Sequence, residues 1–418
     1  MTTSEKILEY INNGWDATTR YNPKDIPNGE KTLYGVPYPY VVPAVGAFEE
    51  LYYWDTYFAN KGLELSDKWD MVKNNTDNIL FMIERFGCMK NSNREFHAGV
   101  AQPPFSSIMV RDVFEHYGDK TWIFGAYNTL KKEYNFWMSK RITPIGLNQY
   151  GGFPTDSTIE AKADAFCKRI SGRPEGLTDQ EIVDQYMICC ESGWDCNPRW
   201  DGFYGKKFVQ VELNSLLYAF EKNMEYFSEV LELQEENEWH EKAKNRKALM
   251  DKFMLNADGF YTDYNFIDDY HSKIMSSSCL FPLYTGLAQK EQAEKLMENL
   301  YRIDAPFGIT ATENNEYVGK YTMQWCYPVG WACQQHIAIK ALDNYGYKDK
   351  AKEVAQKYIS LTEKVFEETG QLWEKYNVVE GSNQVLSHGR TTAMPPMIGW
   401  TAATYLTSKK YLETGKIT

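Results

Sequence analysis

The sequence has neither a leader-like start nor a long apolar run. Residues 1–6 read MTTSEK, and no basic segment followed by apolar residues comes after them, so we predict no signal peptide. No apolar stretch approaches the roughly 18 residues that a membrane-spanning helix needs. These two absences lead us to expect a cytoplasmic protein that has no membrane partner.

The motifs of several catalytic classes are also missing. The 6 histidines show no HExxH or other metal-ligand spacing, and the 8 cysteines form no CxxC pair. Neither a zinc site nor a disulfide framework is therefore indicated. GxSxG, P-loop and GxGxxG patterns do not occur, which argues against serine-hydrolase and nucleotide-binding activity. We predict no metal and no cofactor.

Basic residues are fewer than acidic ones. The 45 Lys and Arg stand against 57 Asp and Glu, which gives a net charge of -12. Nucleic acids and anionic lipids are bound through clustered cations, so neither is an expected partner. Aromatic residues, by contrast, make up 15% of the chain, with 12 Trp and 30 Tyr. Such an excess fits a cleft for a neutral sugar, or else a large helical core.

Apolar residues recur mostly with a helical period. The clearest case is the segment 351–365, whose apolar residues form the stripe of an amphipathic helix. Strand-like alternation is scarce and no linker or repeat divides the chain, so we predict one all-α domain. The Pro- and Tyr-containing residues 1–45 are predicted to form an arm packed on residues 46–418. Other helices are predicted near 50–64, 68–86, 104–117, 121–139, 156–169, 179–189, 211–228, 231–254, 276–288, 293–300, 330–345 and 392–408.

One stretch, residues 191–200, concentrates side chains that can do chemistry. Its sequence, ESGWDCNPRW, holds two carboxylates, two indoles and an arginine within ten residues, a mixture that a core helix does not need. Indole faces stack on the C–H groups of sugar rings, and a carboxyl group can transfer a proton. We therefore favour a sugar site here. The alternative is a Trp-rich packing corner in which Asp195 caps a helix.

Two earlier loops carry similar side chains, each with a plain structural alternative. Trp54 beside Asp55 offers a stacking face and an acceptor for two sugar hydroxyls, or else it begins a core helix. Asn91 could hydrogen-bond a hydroxyl, but a turn residue is the simpler local interpretation. The residues alone leave both alternatives open.

Three later loops are equally ambiguous. Arg173 and Glu175 precede a helix and look, locally, like an ordinary surface ion pair. Trp325 lies in an aromatic turn that leads into a helix. Glu374 is flanked by aromatic residues, so partial desolvation could tune its acidity, or it is a carboxylate at a helix end with no task.

Taken together, these stretches resemble the motifs of trehalase-type glycoside hydrolases, family 37, whose clan includes family 63. The resemblance runs from roughly Gly46 to Thr404, which is most of the chain. Any one motif is weak, but eight in the same order are specific. The matching residues are Gly46-Ala47-Phe48 with Glu50, Tyr52, Trp54-Asp55 and Tyr57; Asn91-Ser92-Asn93-Arg94 with Gln102-Pro103-Pro104; Arg173-Pro174-Glu175; Glu191 to Asp195; Val211 to Tyr218; Gln324 to Ala332; Glu374-Lys375-Tyr376-Asn377; and Gly399-Trp400-Thr401.

The resemblance implies an (α/α)6 barrel and an inverting hydrolase. It implies that Asp195 is the general acid and Glu374 the general base. Inversion needs two carboxyl groups roughly 6.5–9.5 Å apart on opposite faces of the sugar, with room for a water between them. The substrate-binding residues predicted with them are Trp54, Asp55, Asn91, Arg173, Glu175, Trp194, Trp325, Phe48 and Gln102.

The chain departs from the family pattern on the side that would grip the second sugar. Ala47 and Val100 stand where the motifs have arginines, and the Gly-rich segment that follows the last carboxylate is missing. Each charged contact is worth on the order of 1–3 kcal/mol, so we predict an inverting α-glycosidase acting on a small α-glucoside with a changed aglycone side. The alternatives are a trehalase proper, a non-hydrolytic epimerase or lyase of the same fold, and an inactive sugar-binding relative. The oligomeric state is not predicted.

Overall fold

The computed structural model describes residues 1–29, 31–155, 157–385 and 396–417, and helices dominate it. Within these residues the strands are only two or three residues long, in agreement with the predicted all-α class. The α-helices are α1 (Thr3–Ala17), α2 (Tyr53–Leu65), α3 (Trp69–Phe86), α4 (Ser106–Tyr117), α5 (Lys120–Lys140), α6 (Ile159–Arg169), α7 (Asp179–Ser192), α8 (Val211–Leu231), α9 (Glu236–Phe253), α10 (Phe281–Tyr284), α11 (Lys290–Asn299), α12 (Ala332–Asn344), α13 (Lys348–Thr369) and α14 (Gly399–Thr414).

Six of these helices close an inner ring. α2 packs on α4, α4 on α8, α8 on α10, α10 on α12, α12 on α14, and α14 returns to α2. The helices α3, α5, α9 and α13 pack against the outside of this ring, and α1 packs on α13. Two concentric layers of helices are the architecture of the predicted (α/α)6 barrel, which is thus confirmed.

The inner and outer helices differ in how many of their faces are buried. In the inner helix α2 every residue from Tyr53 to Leu63 is buried, because other elements surround it. In the outer helix α13 the apolar stripe predicted from the sequence is buried and its other faces carry charge. Close packing of α2 on α14 depends on a missing side chain, since a Cβ on Gly62 would lie 2.8 Å from the Cα of Ala403.

One helical hairpin belongs to neither layer. α6 and α7 pack on each other and lie in the chain between the outer helix α5 and the inner helix α8. The capping box at Thr178 and Glu181 fixes the start of α7. Residues of both α6 and α7 line the pocket described below.

The strands are short pairs in the connections between helices. The pair β8–β9 matters most for the site, because its register places Trp331 opposite Lys375. The strands are β1 (Thr19–Arg20), β2 (Tyr40–Val41), β3 (Phe208–Val209), β4 (Tyr264–Asn265), β5 (Tyr270–His271), β6 (Asp304–Ala305), β7 (Gly308–Ile309), β8 (Val329–Trp331) and β9 (Lys375–Asn377).

The N-terminal segment is joined closely to the barrel. Trp15 of α1 is buried and packs beside Gly62 of α2, and the hydroxyl of Tyr10 donates to the Gln371 side chain. The division into an arm, residues 1–45, and a catalytic domain, residues 46–418, stays a proposal. Across the described ranges, no helix combines the length and the apolar character that crossing a membrane requires.

Most helix boundaries differ from the sequence-based predictions by a few residues, and three of the differences have a clear structural description. The helix expected over 276–288 is a short 3-10 turn followed by the four-residue α10. The helix expected from 231 begins only at Glu236, because the residues Glu232 and Gln234 have left-handed backbone, with φ of 56° and 59°. The helix expected over 392–408 begins at Gly399, and its predicted first residues up to 395 lie outside the described residues.

Candidate active site

A pocket of about 820 Å³ lies where the connections at one end of the barrel meet the α6–α7 hairpin. Both predicted catalytic carboxylates, Asp195 and Glu374, line it. So do six of the predicted substrate-binding residues, which are Phe48, Trp54, Asp55, Asn91, Gln102 and Trp325. The chain segments that meet here are far apart in sequence, and the barrel brings them together.

The turn after α7 presents Asp195. α7 ends at Gly193, whose φ of 73° suits glycine, and a Cβ there would lie 2.6 Å from the Trp54 ring. The glycine thus permits both the turn and the close approach of the indole. The Asp195 side chain is about 30% exposed, and Nη2 of Arg169 donates to its Oδ2 at 2.7 Å.

A buried ionic network holds this turn from behind. Arg199 is fully buried, and its guanidinium donates to the carboxylates of Glu212 and Asp263 at 2.9 Å. The same guanidinium lies 4.5 Å from the ring centroid of Trp194. Because a buried charge is tolerated only when it is paired, the network ties the turn to α8 and to the loop of Asp263.

Glu374 approaches from the other side of the pocket, directly before β9. The Nζ of Lys375 donates to Glu374 Oε2 at 2.6 Å and to Gln324 Oε1 at 3.0 Å. The indole nitrogen of Trp400 donates to the main-chain oxygen of Glu374 at 3.1 Å. Lys375 is fully buried and Glu374 is 8% exposed, so buried donors fix the position of Glu374.

Stacked indoles line the same pocket as the two carboxylates. Trp325 stacks on Trp331 with centroids 3.9 Å apart and on Trp194 at 5.1 Å. Trp54 and Trp400 contact the same stack from the side. Trp54, Trp325, Trp331 and Trp400 reach the pocket, whereas the predicted binding residue Trp194 is buried behind Trp325 and does not line it.

Asp55 is the carboxyl group whose titration the pocket alters most clearly. It lies in the first turn of α2 and is buried. Burial raises the pKa of Asp55 to about 8, and the nearby carboxylates Glu374 and Asp195 add to the rise. At neutral pH this carboxyl is therefore largely protonated and can donate a hydrogen bond to a ligand.

The two amides of the pocket are already held in place by the protein. Asn91 Nδ2 donates to the main-chain oxygen of Cys190 at 3.1 Å. Gln102 Oε1 accepts from the main-chain nitrogen of Trp54 at 3.1 Å. Each amide keeps its other end toward possible partners in the pocket, which is how a rigid site presents hydrogen-bonding groups.

Arg173 and Glu175 lie elsewhere. Both are exposed on the turn between α6 and α7 and do not line the pocket. Arg173 is ion-paired with Asp179 and, at 3.6 Å, with Asp164, so it makes surface ion pairs with partners other than the neighbouring Glu175. The physical reason is that the turn projects into solvent while α6 itself covers the pocket.

Three cationic residues that the motifs did not indicate line the pocket from α6. They are Lys162, Lys168 and Arg169, and Tyr186 of α7 lies beside them. A signal was available in the sequence, because Lys162 and Arg169 are two helical turns apart with the small residue Ala165 between them. Ala47 and Val100, which replace the family's arginines, line the same pocket.

The pocket chemistry is that of carboxylates, amides, cations and indoles. In the part of the chain that the structure describes, no group of three or more His, Cys, Asp or Glu side chains is arranged to hold a metal ion. The groups present can transfer protons, hydrogen-bond hydroxyls and stack on a sugar ring.

Comparison with known proteins decides the family. The Trehalase family model matches residues 2–412. The chain belongs to the trehalase family. It is a glycosidase of the trehalase type, as the motifs predicted.

Individual relatives agree with this assignment. Periplasmic trehalase of Pseudomonas aeruginosa is 30% identical over 427 residues, covering 94% of this chain and 74% of that protein. Periplasmic trehalase of Escherichia coli O1:K1 is 29% identical over 403 residues, covering 90% and 69%. Among solved structures, neutral trehalase Nth1 from Saccharomyces cerevisiae has a TM-score of 0.75 at 27% identity and covers 97% of this chain and 80% of that one.

A more distant structure shares the fold. The GH63 mannosylglycerate hydrolase from Thermus thermophilus has a TM-score of 0.62 at 16% identity, covering 97% of this chain and 99% of that one. At this identity the likeness concerns the fold alone. It matches the predicted relation to family 63.

The comparison corrects one expectation. The curated relatives from Escherichia coli and Pseudomonas aeruginosa are named as periplasmic enzymes. The prediction of a cytoplasmic protein is therefore wrong. It rested on the residues at the start of the chain, and those residues are a weak basis for location.

Proposed function

We propose that this trehalase-family chain is an inverting α-glycoside hydrolase that acts on a small α-glucoside, with Asp195 as general acid and Glu374 as general base. The observation that carries the proposal is that both carboxylates line one pocket whose lining also includes the stacked indoles Trp325 and Trp331. One group protonates the leaving oxygen while the other deprotonates the attacking water on the opposite face of the sugar. A volume of about 820 Å³ is suited to a disaccharide-sized ligand.

The surroundings of Glu374 support the role of base. A base must be held in one orientation when water arrives, and the ammonium of Lys375 donates a hydrogen bond to the Glu374 carboxylate at 2.6 Å. The hydrogen bond from Trp400 to the main chain of Glu374 fixes the direction of approach. Both partners are buried, so the geometry exists before substrate binds.

The surroundings of Asp195 support the role of acid that becomes competent with substrate. Asp195 is more exposed than Glu374 and is paired with Arg169 from α6. To deliver a proton, Asp195 has to leave this ion pair, so the aglycone must draw Arg169 away when it binds. This requirement ties proton transfer to occupation of the pocket.

The glycone would lie against Trp54 and Trp325 and bond to the polar groups beside them. Asp55, neutral at physiological pH, donates to a hydroxyl, and Asn91 and Gln102 supply amide contacts. Phe48 closes the edge of this wall. Trp194 supports Trp325 from behind, and Arg173 and Glu175 have no part in the proposal because they face solvent.

Trehalose itself is the second candidate substrate. It is favoured by the relatives named periplasmic trehalase, which are about 30% identical to this chain. It is disfavoured by Ala47 and Val100, which present apolar groups to the pocket where the family motifs have arginines. Rates on trehalose and on a panel of other α-glucosides discriminate the two.

The test is hydrolysis of that panel by wild type, Asp195→Asn and Glu374→Gln. We expect each substitution to lower kcat by about 10²–10⁴-fold, the usual contribution of a general acid or base. With an α-glucoside whose aglycone is not a second anomeric sugar, proton NMR should show glucose released first as the β-anomer, as inversion requires. The control, Asp164→Asn, removes an exposed carboxylate of α6 and should keep its activity.

Two results would contradict the assignment. Wild-type rates in Asp195→Asn together with a large loss in Asp55→Asn would make the protonated Asp55 the proton donor. Release of α-glucose first from a glucoside with a non-anomeric aglycone would exclude inversion.

A further inference from the structure

One face of α6 is a basic wall of the pocket. We define this basic wall as Lys162, Lys168 and Arg169, all of which line the pocket. The inference drawn from it rests on the proposed function and specifies the aglycone.

Helical geometry explains how three cations reach one pocket. With 3.6 residues per turn, Lys162, Ala165 and Arg169 fall on one face of α6. Ala163 and Phe166 fall on the adjacent face and are buried, which anchors the helix to the protein. Lys168 lies at the edge of the pocket face and is exposed, so its amine can reach both the pocket and solvent.

The hairpin holds two of these cations over one aromatic ring. The Lys162 amine lies 5.8 Å and the Arg169 guanidinium 5.7 Å from the centroid of the Tyr186 ring. The Tyr186 hydroxyl accepts from Arg169 Nη1 at 3.1 Å, and its ring stacks on Phe166. These contacts orient the basic wall before any ligand arrives.

The basic wall lies on the side of the leaving group. Arg169 is bonded to Asp195, the proposed acid, and the acid must lie next to the oxygen that leaves with the aglycone. The acidic residues of α6, Glu160 and Asp164, are exposed and do not line the pocket. The Lys and Arg side chains among the described pocket-lining residues all come from α6, whereas the carboxylates Glu50, Asp55, Asp195 and Glu374 come from other segments.

The same side has lost its family arginines. Ala47 and Val100 give the loops an apolar surface there, while α6 supplies cations from another direction. A neutral hydroxyl needs no concentration of positive charge, whereas three cations on one wall attract an anion that enters the pocket. The arrangement is therefore matched to a charged ligand.

We propose that the aglycone is anionic, an alcohol or sugar that carries a phosphate or carboxylate group bound by the basic wall. Lys162 and Arg169 are about 10 Å apart along α6 at 1.5 Å per residue, a span suited to one sugar-sized group with its charge. The reaction stays a hydrolysis, in which water adds across the glycosidic C–O bond, glucose is released, and the aglycone departs as a charged alcohol. When the anion binds, it competes with Asp195 for Arg169 and frees the acid.

The experiment compares matched pairs of α-glucosides that differ by the presence of an anionic group. Trehalose 6-phosphate is compared with trehalose, and glucosylglycerate with glucosylglycerol. At low salt we expect kcat/KM to be about 10- to 100-fold higher for the anionic member of at least one pair, the range for a charged hydrogen bond. The pair with the larger ratio identifies phosphate or carboxylate as the anion. Added salt should reduce that ratio.

Variants locate the effect on α6. Lys162→Gln and Lys168→Gln should each lower the anionic-to-neutral ratio of kcat/KM about tenfold or more. Lys290→Gln on α11, which removes an exposed lysine far from the pocket lining, should leave the ratio unchanged. A variant that loses both rates in the same proportion would speak against a role in charge recognition, and circular dichroism shows whether it is folded.

The outcomes separate this inference from the proposed function. Hydrolysis of the neutral members with ratios near one would overturn the anionic aglycone and leave the hydrolase intact. If no glucoside is cleaved, the proposed function fails. Calorimetry then tests whether the basic wall binds an anion, and we expect glucose 6-phosphate to bind more tightly than glucose. Equal or undetectable binding of the two sugars would overturn it as well.

Discussion

The indole wall and the basic wall of the pocket differ in burial and in their place in the fold. The indole wall, formed by Trp54, Trp325, Trp331 and Trp400, is buried and belongs to the core of the barrel. The basic wall on α6 belongs to a hairpin outside both helical layers, and its pocket-facing residues Ala165 and Lys168 are exposed.

The difference teaches where specificity can change at low cost. A residue that packs in the core cannot be altered without loss of stability, because cavities and unpaired groups cost several kcal/mol. An exposed residue of the hairpin, such as Lys168, can be replaced with little effect on folding. The indole wall is therefore constrained by the fold, and the basic wall is open to change when the ligand changes.

The largest expected effect comes from the buried network behind the indole wall. Arg199→Met leaves the Glu212 and Asp263 carboxylates buried without their cation, so we expect a loss of about 3–5 kcal/mol in the free energy of unfolding. Urea denaturation followed by tryptophan fluorescence measures it. The control Arg85→Met breaks a half-exposed pair with Asp25 and should cost less than about 1 kcal/mol. Equal losses in the two variants would show that the network is not what holds the turn.

A smaller effect is expected from the protonated carboxyl of the indole wall. The folded-state pKa of Asp55, about 8, lies above its ordinary value of 3.8, so between these values the folded protein binds a proton that the unfolded chain does not. Stability from this group is complete below about pH 4 and is lost as the pH rises to about 8, at up to about 1.4 kcal/mol per pH unit.

Asp55→Asn tests this directly, because an amide cannot titrate. The variant should lose less stability than wild type between pH 4 and pH 8, as measured by thermal unfolding across that range. Glu133, whose pKa burial raises to about 7, keeps part of the slope in both proteins. Identical slopes in wild type and variant would mean that Asp55 ionises normally.

The smallest effect is expected on the basic wall. Lys168→Gln removes one exposed charge from α6 and should change the free energy of unfolding by no more than about 0.5 kcal/mol. Urea denaturation of Lys168→Gln and Arg199→Met side by side compares the loss in the free energy of unfolding at the two walls directly. A loss of several kcal/mol would show that the hairpin is part of the folding core.

Much of the fold could be predicted from sequence because periodicity is a local property. The segments for α3 and α13 have an apolar face at helical spacing, and burial follows it. The boundary at Glu236 could not be predicted, since the left-handed backbone at Glu232 occurs in a residue type that seldom adopts it. The position of the α6–α7 hairpin outside the ring depends on tertiary packing, which no local pattern records.

The candidate site was predictable to the extent that its motifs lie on core elements. Trp54, Asp55 and Asn91 occur on segments that the barrel fixes, and the structure brings them to the pocket. The triplet Arg173-Pro174-Glu175 lies on the turn of the hairpin instead. There the motif is kept in the sequence, but the charged side chains of Arg173 and Glu175 are exposed to solvent. Arg169, four residues earlier, reaches the pocket because it remains on the helix.

The stacked indoles also connect the chain segments that carry the two carboxylates. Trp194 directly precedes Asp195, and Trp331 is paired in register with Lys375, the neighbour of Glu374, while Trp325 is clamped between the two rings. Stacked rings therefore join the segment that carries Asp195 to the segment that carries Glu374, in addition to the chain connections. Surface loops can vary in length while this buried packing keeps the two segments in place.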